Sequence, residues 1–133
     1  MSNVKKIVFS AVCIVILVVG IIGGKYLISV QKYKKAIREL KISNVDLSKV
    51  SDGKYTGSCD VGYVGAKVAV TVKNNEIADI TLLSHKNNRG KPAEVIPEKV
   101  LKAQSLQVDT ISGATNSSKV ILKAIENALE SGE

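Results

Sequence analysis

The chain has 133 residues and a net charge of +7, which leaves room for one folded domain and one or two further segments and excludes a second independent core. A basic chain would ordinarily suggest a nucleic-acid partner, but residues 1–50 carry the whole excess charge and residues 51–133 are neutral. This distribution argues against nucleic acid and favours the flank of a membrane segment. Cys13 and Cys59 form no CxxC or Cys/His pattern, so a structural zinc site is excluded.

A membrane-spanning helix is predicted over residues 7–24, after a short flank of residues 1–6. These eighteen residues hold no charge, and their length of about 27 Å as a helix approaches the roughly 30 Å hydrocarbon layer. A cleaved signal peptide has a similar charged flank and apolar run, but Gly23-Gly24-Lys25 stands where a small-residue cleavage pattern is expected. The sequence therefore predicts an uncleaved, single-pass anchor in a lipid bilayer. Two lysines precede the span and six basic residues follow it, and this count by itself would place the C-terminal domain in the cytoplasm.

Residues 25–50 are predicted to form a basic juxtamembrane helix and a linker. Val30, Tyr33, Ile37 and Leu40 recur at helical spacing, with basic residues between them. Such a helix either lies near the lipid head groups or continues the anchor as a stalk. Residues 43–51 are predicted to be a short polar linker.

Three strands are predicted in the first half of the domain formed by residues 51–133. After an Asp52-Gly53 turn, residues 54–60 read as a short strand; residues 66–73 and 76–83 alternate as a hairpin around Asn74-Asn75. The side chains expected to face one side of this hairpin are Val68, Val70 and Val72, and across from them Ala78, Ile80 and Leu82. A polar loop, residues 85–91, is expected to follow the hairpin.

Two helices are predicted in the second half of the domain. Pro97 is suited to the first turn of a helix that runs to about residue 104, and residues 117–130 form an amphipathic helix. The apolar residues of this last helix are Val120, Ile121, Ala124, Ile125, Ala128 and Leu129. Strands followed by helices predict an α+β fold: a small antiparallel sheet packed with two or more helices, preceded by one transmembrane helix.

The stretch that carries chemistry is a hydroxyl-rich turn at residues 109–118, which enters the last helix. Gly113 permits unusual backbone angles, Ala114 leaves space, and the unpaired N–H groups of the helix start favour a phosphate. The hydroxyls available to such a phosphate are those of Ser112, Thr115, Ser117 and Ser118. An ordinary helix cap, made by Asn116 or Ser117, explains the same residues, and the physical argument leaves both interpretations open.

The string Asp109-x-x-Ser112-Gly113-Ala114-Thr115 resembles the flavinylation motif of the FMN-binding domain family. That family includes one component of the sodium-translocating NADH:quinone oxidoreductase, the equivalent component of the Rnf complex and many small membrane-anchored proteins. The resemblance covers about residues 51–129, including the opening DGKYTG, the hairpin, the loop at His85 and the last helix. It implies an α+β domain that carries FMN covalently.

The resemblance also implies a role for each motif residue. The hydroxyl of Thr115 is esterified to the phosphate of FMN by a separate flavin transferase, which uses FAD and releases AMP. Ser112, Gly113 and Ala114 form the turn that presents the threonine, and Asp109 serves transferase recognition, turn stabilisation or both. Asn116, beside the attachment residue, and His85, which is either a flavin contact and proton relay or a surface residue, complete the candidate cofactor-binding residues.

The expected function is that of a membrane-anchored electron-transfer flavoprotein. Electrons would pass from a membrane donor to an extracytoplasmic acceptor. The resemblance implies that the C-terminal domain lies outside the cytoplasm, whereas the count of basic residues around the span indicates the opposite orientation. Because no substrate-binding domain is recognisable, a redox carrier is expected rather than a complete enzyme. Two other classes stay open: a sensor or scaffold that binds FMN or another phosphate ligand non-covalently, and a structural module whose SGAT string is only a helix cap.

Overall fold

The computed structural model describes residues 2–87 and 90–133 and divides the chain into two compact units, Met1–Lys35 and Ala36–Glu133. The first unit is a single helix, α1 (Ser2–Glu39), whose last residues belong to the second unit. Its apolar stretch is unburied and is long and apolar enough to cross a membrane, a property that signal sequences share. The helix continues without a break through residues 25–39.

The segment after α1 is packed against the domain and is not a free linker. We call residues 40–52 the strap. The amide of Ser43 donates to Glu126 Oε1 (3.3 Å), and Asn44 Oδ1 accepts from the amide of Leu106 (3.3 Å). A short 3-10 helix, Leu47–Lys49, follows, and Val50 is buried. The strap thus belongs to the same compact unit as the sheet and the helices that follow it.

The second unit contains a three-stranded antiparallel sheet in the order β1-β2-β3. Its strands are β1 (Gly53–Asp60), β2 (Gly65–Lys73) and β3 (Glu76–Lys86). Asn74 and Asn75 both adopt left-handed backbone angles, φ 53° and 63°, as a two-residue hairpin turn of the mirror-image type requires. The predicted strands and hairpin are confirmed.

Two irregularities in β3 decide which of its side chains face the helices. The register with β2 shifts between Lys67 and Val68 and again between Thr71 and Val72, so that Leu83 and Ala78 are extra residues of β-bulges. The residues paired with the buried Val72, Val70, Val68 and Ala66 of β2 are therefore Ile77, Ile80, Leu82 and His85, in that order. The prediction that Ala78 faces the core is wrong, since it is exposed while Ile77 is buried. The prediction that His85 belongs to a loop is also wrong, because it is the penultimate residue of β3 and pairs with Ala66.

Two helices cover one face of the sheet. A 3-10 turn (Lys91–Val95) leads into α2 (Ile96–Ala103), which packs on β3, and α3 (Thr115–Glu130) packs on β1 and β2. Gly57 of β1 allows close contact, because a Cβ there would collide with the backbone of Ala124 in α3. All six apolar residues predicted to face inward on the last helix are buried, and so are Leu122 and Glu126. The predicted α+β fold with a small antiparallel sheet and packed helices is confirmed.

Candidate functional site

The candidate site lies where α3 begins. Thr115 is the first residue of α3 and is exposed, and Ala114, which precedes it, has non-helical backbone angles (φ −135°, ψ 34°). The residue at the cap position, Ala114, makes no side-chain hydrogen bond to the helix start. The first-turn N–H groups carry the positive end of the helix dipole. An exposed hydroxyl therefore sits at a helix terminus that is suited to a phosphate.

The interpretation of this stretch as an ordinary helix cap is wrong. Asn116 and Ser117, the two residues considered as caps, are the second and third residues of α3 itself. Ser117 is buried, and the cap position is held by Ala114, whose methyl side chain accepts no hydrogen bond. The small side chain at this position leaves the helix terminus open to another acceptor.

A tight turn presents Thr115 to the surface. The amide of Ala114 donates to the carbonyl of Ile111 (2.9 Å), which closes a four-residue turn with Ser112 and Gly113 at its centre. Gly113 has φ +80° and no neighbouring atoms where a Cβ would be. Because Ser112 has no positive φ, the turn is of the type that demands glycine at its third position. The glycine of the SGAT string is thus required by backbone geometry.

The buried side chain of Ser118 stabilises this turn by hydrogen bonds. Ser118 is fully buried, and its hydroxyl donates to the carbonyl of Ala114 (2.8 Å) and accepts from the amide of Ile111 (3.0 Å). The two bonds join both ends of the turn to the first turn of α3. Sequence reasoning treated Ser118 as a ligand donor. A serine four residues after the cap position can donate a hydrogen bond to the carbonyl of the cap residue. This spacing is the sequence signal that could have identified the structural role of Ser118.

The loop after β3 packs against the same end of α3. A Cβ on the buried Gly90 would collide with Ser117 Oγ, so the two residues are in close contact. The amide of Gly90 donates to Asn87 Oδ1 (3.1 Å), and Asn87 Nδ2 lies 3.2 Å from Nδ1 of His85. Neither Asn87 nor Gly90 was among the predicted site residues. Asn88 and Arg89, in the predicted loop, lie outside the described residues.

His85 is the buried titratable residue of this region. Its side chain is only 2% exposed, and Nδ1 lies 3.5 Å from Glu94 Oε1. Nε2 is buried and has no hydrogen-bond partner in the part of the chain that the structure describes. A surface position for His85 is therefore excluded. A contact chain from His85 through Asn87 and Gly90 to Ser117 connects it to the first turn of α3.

The remaining predicted site residues occupy different positions. Ser112 is exposed on the turn, next to Gly113 and Ala114. Asp109 is exposed in a depression that it shares with Lys99, Lys102 and Gln107 at the end of α2. The structure thus brings residues 112–116 together at the helix start and places Asp109 at the edge of the neighbouring depression.

Cys59 and the possible metal ligands were considered as further reactive groups among the described residues. Burial raises the pKa of the Cys59 thiol, so this cysteine stays protonated at neutral pH, as expected for an inert thiol. Among the residues of the described ranges, no group of three His, Cys, Asp or Glu side chains is placed to hold a metal ion.

The fold is thus a small α+β domain in which an exposed threonine stands at a helix N-terminus, a position that favours a phosphate group. A model of the FMN-binding domain family matches residues 62–130, just over half of the chain, and the chain belongs to this family. The chain is also similar to NADH:acrylate oxidoreductase from Vibrio harveyi, with 40% identity over 98 residues. These residues are 71% of this chain and 9% of that protein, so the chain spans about a tenth of the length of this curated relative.

Proposed function

We propose that this protein is a membrane-anchored electron carrier that holds FMN covalently through a phosphoester to Thr115. The observation that carries the proposal is the exposed Thr115 at the first position of α3, a helix whose cap residue, Ala114, makes no side-chain hydrogen bond. Membership of the FMN-binding domain family supports the cofactor. The similarity to a protein named as an oxidoreductase supports a redox role.

The residues at the helix start fit FMN. A phosphate held at Oγ of Thr115 would lie at the positive end of α3, where N–H groups stabilise its charge. Gly113 and Ala114 leave the approach free of bulky side chains, and the space around Gly113 is open. A domain of about 98 residues buries little surface for its size, so a covalent link prevents the loss of a cofactor that such a small domain would hold weakly.

The attachment is a phosphoryl transfer that a separate flavin transferase would catalyse. Oγ of Thr115 forms a bond to the phosphorus of the FMN half of FAD, the pyrophosphate bond breaks, and AMP leaves. The hydroxyl proton passes to a base of the transferase. Ser112, Gly113 and Ala114 hold the acceptor hydroxyl at the surface, while Asp109, exposed beside them, is available to the transferase. FMN, once bound, supplies the one- and two-electron redox chemistry, and the protein sets its position and its electrostatic surroundings.

The remaining parts of the proposal concern the membrane. α1 would anchor the protein in the bilayer as a single pass, a membrane component would donate the electrons, and an acceptor outside the cytoplasm would receive them. The orientation rests on the family resemblance and opposes the count of lysines around the span. Fusions of alkaline phosphatase and of a cytoplasmic reporter to the C-terminus test it: an inactive phosphatase fusion together with an active cytoplasmic reporter would refute the extracytoplasmic location.

Intact mass spectrometry tests the attachment. The full chain is co-expressed with a flavin transferase, and the expected mass increase is that of one FMN less one water. Thr115→Ala should remove the increase and the fluorescence of the denatured gel band. Thr110→Ala is the matched control, because it removes another exposed threonine side chain, five residues before the attachment residue and outside the turn that presents it, and it should retain the adduct.

Each other outcome has a separate meaning. A yellow native protein whose denatured band is dark indicates a sensor or scaffold that binds FMN non-covalently. Peptide mapping that finds FMN on another side chain, with Thr115→Ala still labelled, refutes the assignment of the attachment residue. A protein that stays colourless after co-expression with an active transferase refutes the flavin function.

A further inference from the structure

The buried imidazole of His85 has one nitrogen that the described residues leave unpaired. Its other nitrogen, Nδ1, lies 3.2 Å from Asn87 Nδ2, while Nε2 is buried without a partner. A buried polar group without a hydrogen bond costs about 1–3 kcal/mol and calls for a specific explanation. The chain holds a single histidine, so this is its only imidazole.

The orientation of the Asn87 amide determines which nitrogen of His85 carries the proton. Asn87 Oδ1 accepts from the amide of Gly90 (3.1 Å), and Asn87 Nδ2 donates to the carbonyl of His85 (3.4 Å). These two bonds assign the NH₂ group of the amide to the side facing His85. Nδ1 of His85 is therefore the acceptor, and the neutral ring carries its proton on Nε2.

Glu94 faces the same ring nitrogen from the 3-10 turn before α2. Its Oε1 lies 3.5 Å from Nδ1 of His85, at the limit of a hydrogen bond and farther than Asn87 Nδ2. The shorter contact thus favours Nδ1 as the acceptor, and Nε2–H is left as a buried donor that needs an acceptor.

We propose that Nε2–H of His85 donates a hydrogen bond to an acceptor atom of the FMN carried at Thr115. This inference rests on the proposed function. The flavin ring offers carbonyl oxygens and ring nitrogens as acceptors, and it supplies what the buried donor lacks. The contact chain through Asn87 and Gly90 to Ser117 places the histidine strand and the attachment helix in one packed region. Asn87 acts here as a positioning residue, because it holds the tautomer of His85.

Nuclear magnetic resonance of the single histidine tests this contact without any variant. The full chain in detergent is labelled with ¹⁵N-histidine and compared before and after attachment of FMN, with intact mass as the measure of attachment. For the neutral ring before attachment, the ¹⁵N shifts should show that Nε2 and not Nδ1 carries the proton. Attachment should shift the Nε2 and Nε2–H resonances more than those of Nδ1.

The two proposals fail in distinguishable ways. An unchanged histidine spectrum in a sample whose mass shows one FMN refutes the His85 contact and leaves the attachment intact. A missing adduct refutes the attachment. A ring protonated at Nδ1 before attachment refutes the tautomer on which the contact depends.

A pair of substitutions provides a second readout. His85→Gln can keep an N–H donor near the position of Nε2, whereas His85→Leu removes it. A donated hydrogen bond stabilises the more electron-rich, reduced flavin, so His85→Leu should shift the midpoint potential to more negative values and His85→Gln should restore part of the shift. Equal midpoint potentials in the wild type and His85→Leu, measured on flavinylated protein, refute the contact.

Discussion

Glu126 is a buried carboxylate whose removal should destabilise the domain and release the strap. It is 2% exposed in α3, accepts from the amide of Ser43 in the strap (3.3 Å) and pairs with Lys123 Nζ at 3.0 Å. Lys123 Nζ also donates to the carbonyl of Lys41 (3.3 Å). Substitution of Glu126 by Ala therefore leaves the part-buried Ser43 amide without its acceptor and the half-buried Lys123 without its counter-charge.

The magnitude follows from the exposure of each partner. Removing one member of a fully buried ion pair costs about 3–5 kcal/mol, but Lys123 is 27% exposed and keeps its bond to a carbonyl. We expect Glu126→Ala to lower the free energy of unfolding by about 2–4 kcal/mol, which for a unit of this size lowers Tm by on the order of 15 °C. Glu126→Gln keeps an oxygen acceptor for the strap amide and should cost less.

Thermal unfolding of the detergent-solubilised full chain measures the loss, and hydrogen exchange of the Ser43 amide measures release of the strap. Glu98 in α2 provides the matched control: it pairs with Lys102 at the same 3.0 Å, but the two side chains are 65% and 76% exposed. Glu98→Ala should cost less than about 0.5 kcal/mol. Equal losses for the Glu98→Ala and Glu126→Ala substitutions would refute the reasoning, because burial is the main difference between the two pairs.

Three further predictions concern close packing, the motif turn and pH. Gly57→Ala should cost about 1–3 kcal/mol, because the new Cβ collides with the backbone at Ala124, and chemical denaturation measures it. Ser118→Ala removes both hydroxyl bonds that hold the motif turn, so it should cost about 1–3 kcal/mol in denaturation and slow flavinylation in a timed transferase assay. Hydrogen bonds from the amide of Gly62 and from a lysine ammonium lower the pKa of Asp60 in the folded chain below its ordinary 3.8. Because the pKa of Asp60 is lower in the folded chain, its carboxylate stabilises the fold above pH 3.8, and this stabilisation is lost as the pH falls through the folded-state pKa. Asp60 is 62% exposed, so Asp60→Asn should lower the free energy of unfolding by only about a few tenths of a kcal/mol. Denaturation at several pH values measures this loss.

Local patterns predicted the elements well and the irregularities within them poorly. Alternation of valines predicted β2, and a pair of asparagines predicted its turn. The bulges of β3 depend on how its residues pair with those of β2, and strict alternation cannot reveal such an insertion. The same omission produced two errors, the inward orientation of Ala78 and the loop position of His85. The bulge at Leu83 shifts the alternation after Ile80 and Leu82, and this shift places His85 on the same face of the sheet as those two residues.

The contacts of the strap were not predicted, for a different reason. Its sequence is polar, and several of the contacts that bind it use its backbone groups: the amide of Ser43, the carbonyl of Lys41 and the amide of Ser51, which donates to Gly132. The pattern of side chains gives no information on backbone donors and acceptors. One side-chain signal was a glutamate among the apolar positions of the last helix, and this residue is Glu126.

α3 is stabilised along its flanks and not at its N-terminal cap. The absence of a side-chain cap lowers the stability of a helix by about 1 kcal/mol. Contacts farther along α3 offset this loss: Gly90 packs on Ser117, the Ser118 hydroxyl donates to the carbonyl of Ala114, and the strap binds Glu126. These contacts leave the first turn ordered but open. The hydroxyls of Ser117 and Ser118 are buried inside the helix, and that of Ser112 lies before it. Among these hydroxyls and that of Thr115, only the Thr115 hydroxyl is both exposed and at the helix start, which is the combination that an incoming phosphate needs.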